Sequence, residues 1–170
     1  MGIMSKLSRP ELLLLLLYQP GPKGKIAEPV VGKTRLMKLL FLLSKEADID
    51  DYLSQRQQFV PFKYGPFDAE VYDDLEALKE LKLIHETTAT VPEETDSDSD
   101  LEESYDTDTQ FSLTNLGMAK AQDLAKVAPK EMIRRITGVK ANFGKMPLLE
   151  LLHYVYGKYE EYAKLSEAKL

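Results

Sequence analysis

Six consecutive leucines, Leu12–Leu17, constrain this chain more than any other feature of its sequence. Wound as an α-helix, the run puts apolar side chains on nearly every face. Such a helix is stable in water only with other elements packed around it. It falls far short of the ~20 apolar residues that a membrane span requires. Ser8-Arg9-Pro10-Glu11 just ahead of it is a capping box, in which the serine oxygen accepts from the backbone N–H three residues on and the glutamate reaches back. Gln19-Pro20-Gly21-Pro22 stops the helix. A central helix over 9–18 is therefore expected. The run is no signal peptide, because Glu11 interrupts the basic flank and no small-residue cleavage site follows. Lys6 stands where myristoylation needs serine or threonine. A cytoplasmic location is expected.

Further elements follow from periodicity. Lys23–Val31 reads as a connector. Leu36, Leu39, Leu40 and Leu43 give a buried helix face within Thr34–Glu46. Phe59–Tyr64 reads as extended, with Gly65-Pro66 turning it. A third helix is expected over about Asp68–Leu81, burying Phe67, Val71, Leu75 and Leu78. Leu83–Thr90 and Gln110–Leu113 read as strands of a hairpin. Thr114 is a good N-cap for a fourth helix, and Gly117 lets a strand approach its first turn. Pro129 and Pro147 start two more helices, forming a helical extension over 129–170. A length of 170 residues suits one domain, 1–170.

Charge is unevenly placed. Between Glu93 and Asp108 lie nine acidic residues and no basic one. Setting those nine aside from the 28 acids leaves 19 against 22 bases, so a chain of net charge −6 has a body of about +3. The acidic stretch, 92–108, has almost no apolar content and is expected to be a flexible hairpin tip.

Chemistry-bearing motifs are few. With no cysteine, the chain has no disulfide, zinc–thiolate site or cysteine nucleophile. Gly32-Lys33-Thr34 lacks the earlier glycine of a phosphate-cradling loop, since Ala27 stands there and Pro29 lies between. Asp96-Ser97-Asp98-Ser99-Asp100 lacks the glycine and the distal glutamate of a calcium loop, with Leu101 and Thr107 at those places. The two histidines, His85 and His153, read as structural. Tyr154, Tyr156, Tyr159 and Tyr162 are expected to pack against the body. No catalytic residue, metal site, cofactor or small-molecule substrate is implied, and the chain is expected not to be an enzyme.

Three helices, a hairpin and further helices is the element order of a winged helix. The expected fold is mostly α with a small β-hairpin (α+β), a winged-helix-like domain with extra C-terminal helices. Phe111-Ser112-Leu113-Thr114-Asn115-Leu116-Gly117 looks like the L-T-x-x-G turn of many winged-helix regulators. Gly32-Lys33-Thr34-Arg35-Leu36-Met37-Lys38-Leu39-Leu40-Phe41-Leu42, with Phe62-Lys63-Tyr64-Gly65-Pro66-Phe67, resembles two groups. They are the small YwgA-like proteins of bacteria and archaea, and the Panacea family, whose members include SocA-like antitoxins and proteolysis adaptors. Leu149–Tyr162, with its K-Y-x-E-Y ending, is similar to the YwgA-like C-terminal helix. The resemblance implies a regulatory or adaptor role.

In the usual docking of such a fold the third helix enters the major groove of DNA. Here that helix carries Asp68, Glu70, Asp73, Asp74, Glu76 and Glu80 against one base, Lys79. An acid facing a phosphate at contact costs about 1 kcal/mol even in water. DNA docking in that mode has the wrong sign. The acidic face is instead expected to bind a basic protein partner. The alternative is a DNA-binding transcriptional regulator that uses Lys126, Lys130, Arg134, Arg135, Lys140 and Lys145, which have only Glu131 among them. Salt discriminates the two, because phosphate binding weakens steeply as salt rises.

Overall fold

The computed structural model describes residues 6–88 and 109–167. The fold is mostly helical with two small antiparallel sheets, an α+β arrangement. The expected acidic tip, 92–108, lies outside the described residues.

Helix α1 (Arg9–Tyr18) is the hub. Its capping box forms as expected, with Glu11 N donating to Ser8 Oγ and Ser8 N donating to the Glu11 carboxylate. Leu12–Leu17 are all 1% exposed or less. Strand β1 (Val30–Val31) and helix α2 (Lys33–Ala47) follow, then a short 3₁₀ turn, Ile49–Tyr52. Strands β2 (Val60–Phe62) and β3 (Gly65–Phe67) form a ribbon before helix α3 (Glu70–Glu80). Strands β4 (Ile84–Thr88) and β5 (Thr109–Leu113) lead into α4 (Asn115–Val127), α5 (Lys130–Gly144), α6 (Leu148–Lys158) and a last 3₁₀ turn, Glu160–Ala163. Helices α3, α4 and α5 and strand β5 all pack on α1, which is what an all-apolar helix requires.

The larger sheet has the order β1-β5-β4, with Ile84 opposite Leu113 and Val30 opposite Phe111. Strand β1 lies within the segment expected to be only a connector. Two residues are too short for a periodic signal, and the strand exists because β5 offers it an edge. Thr114 caps α4 as expected, its Oγ1 accepting from Gly117 N at 2.9 Å. Gly117 is where the loop after α3 touches α4. A Cβ there would lie 1.9 Å from the Leu83 carbonyl oxygen, so only glycine fits.

Three boundaries depart from expectation. The ribbon turns at Lys63-Tyr64, while Gly65 and Pro66 already belong to the returning strand β3, with Phe62 opposite Gly65 and Pro61 opposite Pro66. Neither tip residue has positive φ; Gly65 supplies it, at +92°, in the manner of a bulge that lets an ordinary turn close a hairpin. Phe67 sits on β3, half-buried, and not in the buried stripe of α3. Helix α3 starts at Glu70, two residues later than expected, and Asp68 just ahead of it accepts from Glu70 N through Oδ1 at 3.1 Å.

Helix α6 is tied to α2 through one carboxylate. Tyr154 and Tyr159 each donate a hydroxyl to Glu46 at 2.8 Å, and Lys158 Nζ donates at 3.0 Å. Burial opposes the charge on Glu46, but these three donors outweigh it and hold its pKa below the usual range. Tyr154, Tyr156, Tyr159 and Tyr162 all pack against the core, as expected. Among the described residues, no helix is long and apolar enough to cross a membrane.

Candidate functional site

Arg9, at the start of α1, is 5% exposed and its guanidinium faces α3. It reaches Asp68 at 3.0 Å, Glu70 at 3.1 Å and Asp74 at 3.2 Å. Half of the acidic set expected to meet a partner is thus engaged with one internal cation, and two of those three, Asp68 and Asp74, are turned inward. Asp68 is only 4% exposed and also accepts from Gln58 N at 3.0 Å, so its assignment to a partner-binding face is corrected. Burial pushes the Asp74 carboxyl up, with Arg9 pulling against it. Glu70 stays largely in solvent while its carboxylate holds Arg9. The remaining acids, Asp73, Glu76 and Glu80, lie on the exposed side of α3, where Glu76 pairs with Lys79 at 2.6 Å. Leu81, exposed at the C-terminal end of α3, continues that side.

The ribbon supplies the other half of the surface. Residues opposite each other in an antiparallel pair share a face, as do residues two apart. Val60 is opposite Phe67 and two residues from Phe62, so these three line one face. That face is solvent-facing: Val60 is 52% and Phe62 43% exposed. Phe62 stacks on Phe67 with ring centroids 4.6 Å apart, and Phe67 meets Tyr72 of α3 at 5.6 Å. Tyr72 is itself 37% exposed, with Lys33 Nζ 6.0 Å from its ring centre. The opposite face of the ribbon turns inward, where Lys38 Nζ donates to the Pro66 carbonyl at 3.3 Å.

An aromatic strip therefore runs from β2 across β3 onto α3 and continues into Asp73, Glu76 and Glu80. Sequence reasoning located the acids and missed Val60, Phe62 and Tyr72. The signal was the unbroken apolar run Phe59-Val60-Pro61-Phe62, because successive side chains of a strand point to opposite faces and a two-stranded ribbon can bury only one of them.

The basic set fares differently. Lys140 is 1% exposed, its Nζ donating to the carbonyls of Leu17 at 3.2 Å and Gln19 at 2.7 Å. Those are the last carbonyls of α1, which no intrahelical N–H satisfies, so Lys140 caps a helix and its placement on a DNA-facing surface is corrected. Arg135 donates to Ala47 O at 2.8 Å, capping α2, and pairs with Glu131 at 3.2 Å. Arg134 is also paired with Glu131. Lys126, Lys130 and Lys145 are exposed, and Lys126 lies 4.0 Å from Asp123. These six residues do not form one basic surface.

Gly32 alone separates β1 from α2, and Thr34 is buried, so no loop wraps a phosphate there. That β1 precedes the motif corrects the reading of Lys23–Val31 as a connector alone. His85 and His153 are both exposed, on β4 and α6, and neither is a core histidine. Among the described residues no group of three His, Cys, Asp or Glu side chains is placed to hold a metal ion. Comparison of the sequence and the structure with family models, curated proteins and solved structures finds no match.

Proposed function

We propose that the chain is a non-catalytic, winged-helix-like interaction module that binds a basic protein partner through the strip joining the β2–β3 ribbon to α3. The observation that carries this reading is the continuity of Val60, Phe62, Phe67 and Tyr72 with Asp73, Glu76 and Glu80. Exposed aromatics in contact with one another are the residue type that dominates binding energy when a partner covers them. Val60 and Phe62 are about half exposed, so covering what remains of each contributes about 1 kcal/mol. The acids beside them add little affinity but steer a cationic partner and reject a phosphate backbone. An antitoxin-like or adaptor role is compatible with such a surface.

The winged-helix reading rests on α3 being followed directly by the β4–β5 hairpin. In that frame α3 presents Asp73, Glu76 and Glu80 where a DNA reader needs bases. Of the six residues of the DNA alternative, Lys126, Lys130, Arg134 and Lys145 are exposed, Arg134 being paired with Glu131, while Arg135 and Lys140 hold helix ends.

The test is fluorescence anisotropy with two probes, a labelled amphipathic lysine–leucine peptide and a labelled mixed-sequence duplex. The intact chain is expected to bind the peptide in a salt-sensitive manner and to leave the duplex free at moderate salt. The D73K/E76K/E80K variant, altered only at exposed positions, is expected to lose the peptide by tenfold or more. Peptide affinity unchanged by the reversal, or tight duplex binding by the intact chain, would contradict the reading.

A further inference from the structure

A second region of the molecule collects positive charge. Between β1, the first turns of α2 and the α5–α6 connection lies a cleft of about 520 Å³. Small-ligand sites have volumes of about 300–1,000 Å³. Its walls are largely apolar, with Pro29, Val30, Leu39 and Met146 among them. Four bases line it, Lys23, Arg35, Lys140 and Lys145, against a single acid, Glu28.

The bases are held in two ways. Arg35 and Lys140 are built into the walls and are pinned by carbonyl groups, not carboxylates. Arg35 Nη1 donates to Phe143 O at 3.4 Å, Gly144 O at 3.3 Å and Met146 O at 2.7 Å, closing the C-terminal end of α5. Lys140 holds the end of α1 in the same way. A carbonyl orients a cation without neutralising it; no carboxylate is paired with Arg35, and Lys140 has only the longer-range attraction of Glu28. Their donors are also incompletely used. A guanidinium has five N–H donors, and the contacts of Arg35 engage Nη1 only; an ammonium has three, and Lys140 uses two.

Glu28 offsets only part of this charge, since one of its oxygens accepts from the backbone of Lys23 at 2.9 Å. Burial lowers the Lys140 pKa to about 7 against the attraction of Glu28, so Arg35 is the permanent cation of the wall and Lys140 joins it fully below that pH. Lys23 and Lys145 stand exposed at the rim.

We propose that this cleft binds a small organic anion, an apolar body of fragment size carrying one carboxylate, sulfonate or phosphate group directed at Arg35 and Lys140. The apolar walls take the body, and the two wall cations take the head through the donors the carbonyls leave over. Lys23 and Lys145 draw the anion in. The site is separate from the aromatic strip and does not depend on the reading of that surface.

The probes are 8-anilinonaphthalene-1-sulfonate and its uncharged analogue N-phenyl-1-naphthylamine, titrated by fluorescence. The sulfonate is expected to bind one to one and at least tenfold more tightly than the analogue. Arg35 and Lys140 hold helix ends, so the variant is the rim pair K23Q/K145Q. Removing two charges near contact distance is expected to weaken the sulfonate about tenfold at low salt, while the analogue is unaffected. Displacement by octanoate or by phenyl phosphate then reports which head group the cleft prefers. In an amide-resolved NMR titration the sulfonate is expected to move Val30, Val31, Gln110 and residues 144–146. Equal affinity for the two dyes, insensitivity to the rim pair, displacement by neither anion, or shifts confined to the ribbon and α3 would each overturn the proposal.

Discussion

Lys38 is 2% exposed, and the partner of its ammonium is one carbonyl, Pro66 O at 3.3 Å. Burial without a counter-charge lowers its pKa from the ordinary 10.5 to about 7. The sign of the consequence follows from proton counts. Between about pH 7 and 10.5 the unfolded chain keeps this proton and the folded chain has lost it, so stability rises with pH across that window. Below pH 7 the folded protein carries the full cost of a buried ammonium, on the order of a few kcal/mol for a shift of this size. Lys140 adds a parallel effect, its pKa also lowered to about 7. Tyr159, pushed up to about 12, acts in the opposite sense and only at higher pH. Lys38→Met should therefore raise the urea midpoint at pH 6, even though it leaves the Pro66 carbonyl without its donor at about 1–3 kcal/mol. It should also flatten the rise between pH 7 and 9.5. A variant with the parent's slope and a lower midpoint at pH 6 would contradict this. Nothing in the sequence marked Lys38 as buried, because a lysine among leucines on α2 reads as the solvent side of an amphipathic helix.

At the scale of elements, local signals found the helices and missed what holds them together. The capping box of α1, the threonine cap of α4 and the apolar period of α5 depend on residues close in sequence. They were legible for that reason. Strand β1 and the orientation of α3 depend on partners far along the chain. Arg9 lies 59 positions before Asp68 and 65 before Asp74. No periodicity can show that an acidic helix is docked by its acids. Arg9→Met should destabilise the fold by about 3–5 kcal/mol, since it leaves Asp68 buried, and Asp74 half-buried, without a cation. Denaturant unfolding of R9M and of R9M/D68N/D74N checks this. The triple variant should recover part of the loss, because its amides carry no unpaired charge. A single variant within 1 kcal/mol of the parent would contradict the internal role given to those acids.

Across the whole molecule, charge is divided between structure and surface in a way composition does not show. Arg9, Arg35, Arg135 and Lys140 all serve as internal fasteners, three of them capping helix ends with carbonyl contacts. The mildly basic body inferred from counting is therefore a weaker guide to partners than the exposed side chains. What remains outward on the ribbon and α3 is aromatic and acidic. We propose that this strip is where the chain meets a cationic partner. The most direct measurement is an amide-resolved NMR titration of the labelled chain with the lysine–leucine peptide at two salt concentrations. Shifts are expected over residues 60–67 and 72–81 and should shrink as salt rises. Shifts confined to 126–145, or none at either salt, would contradict it.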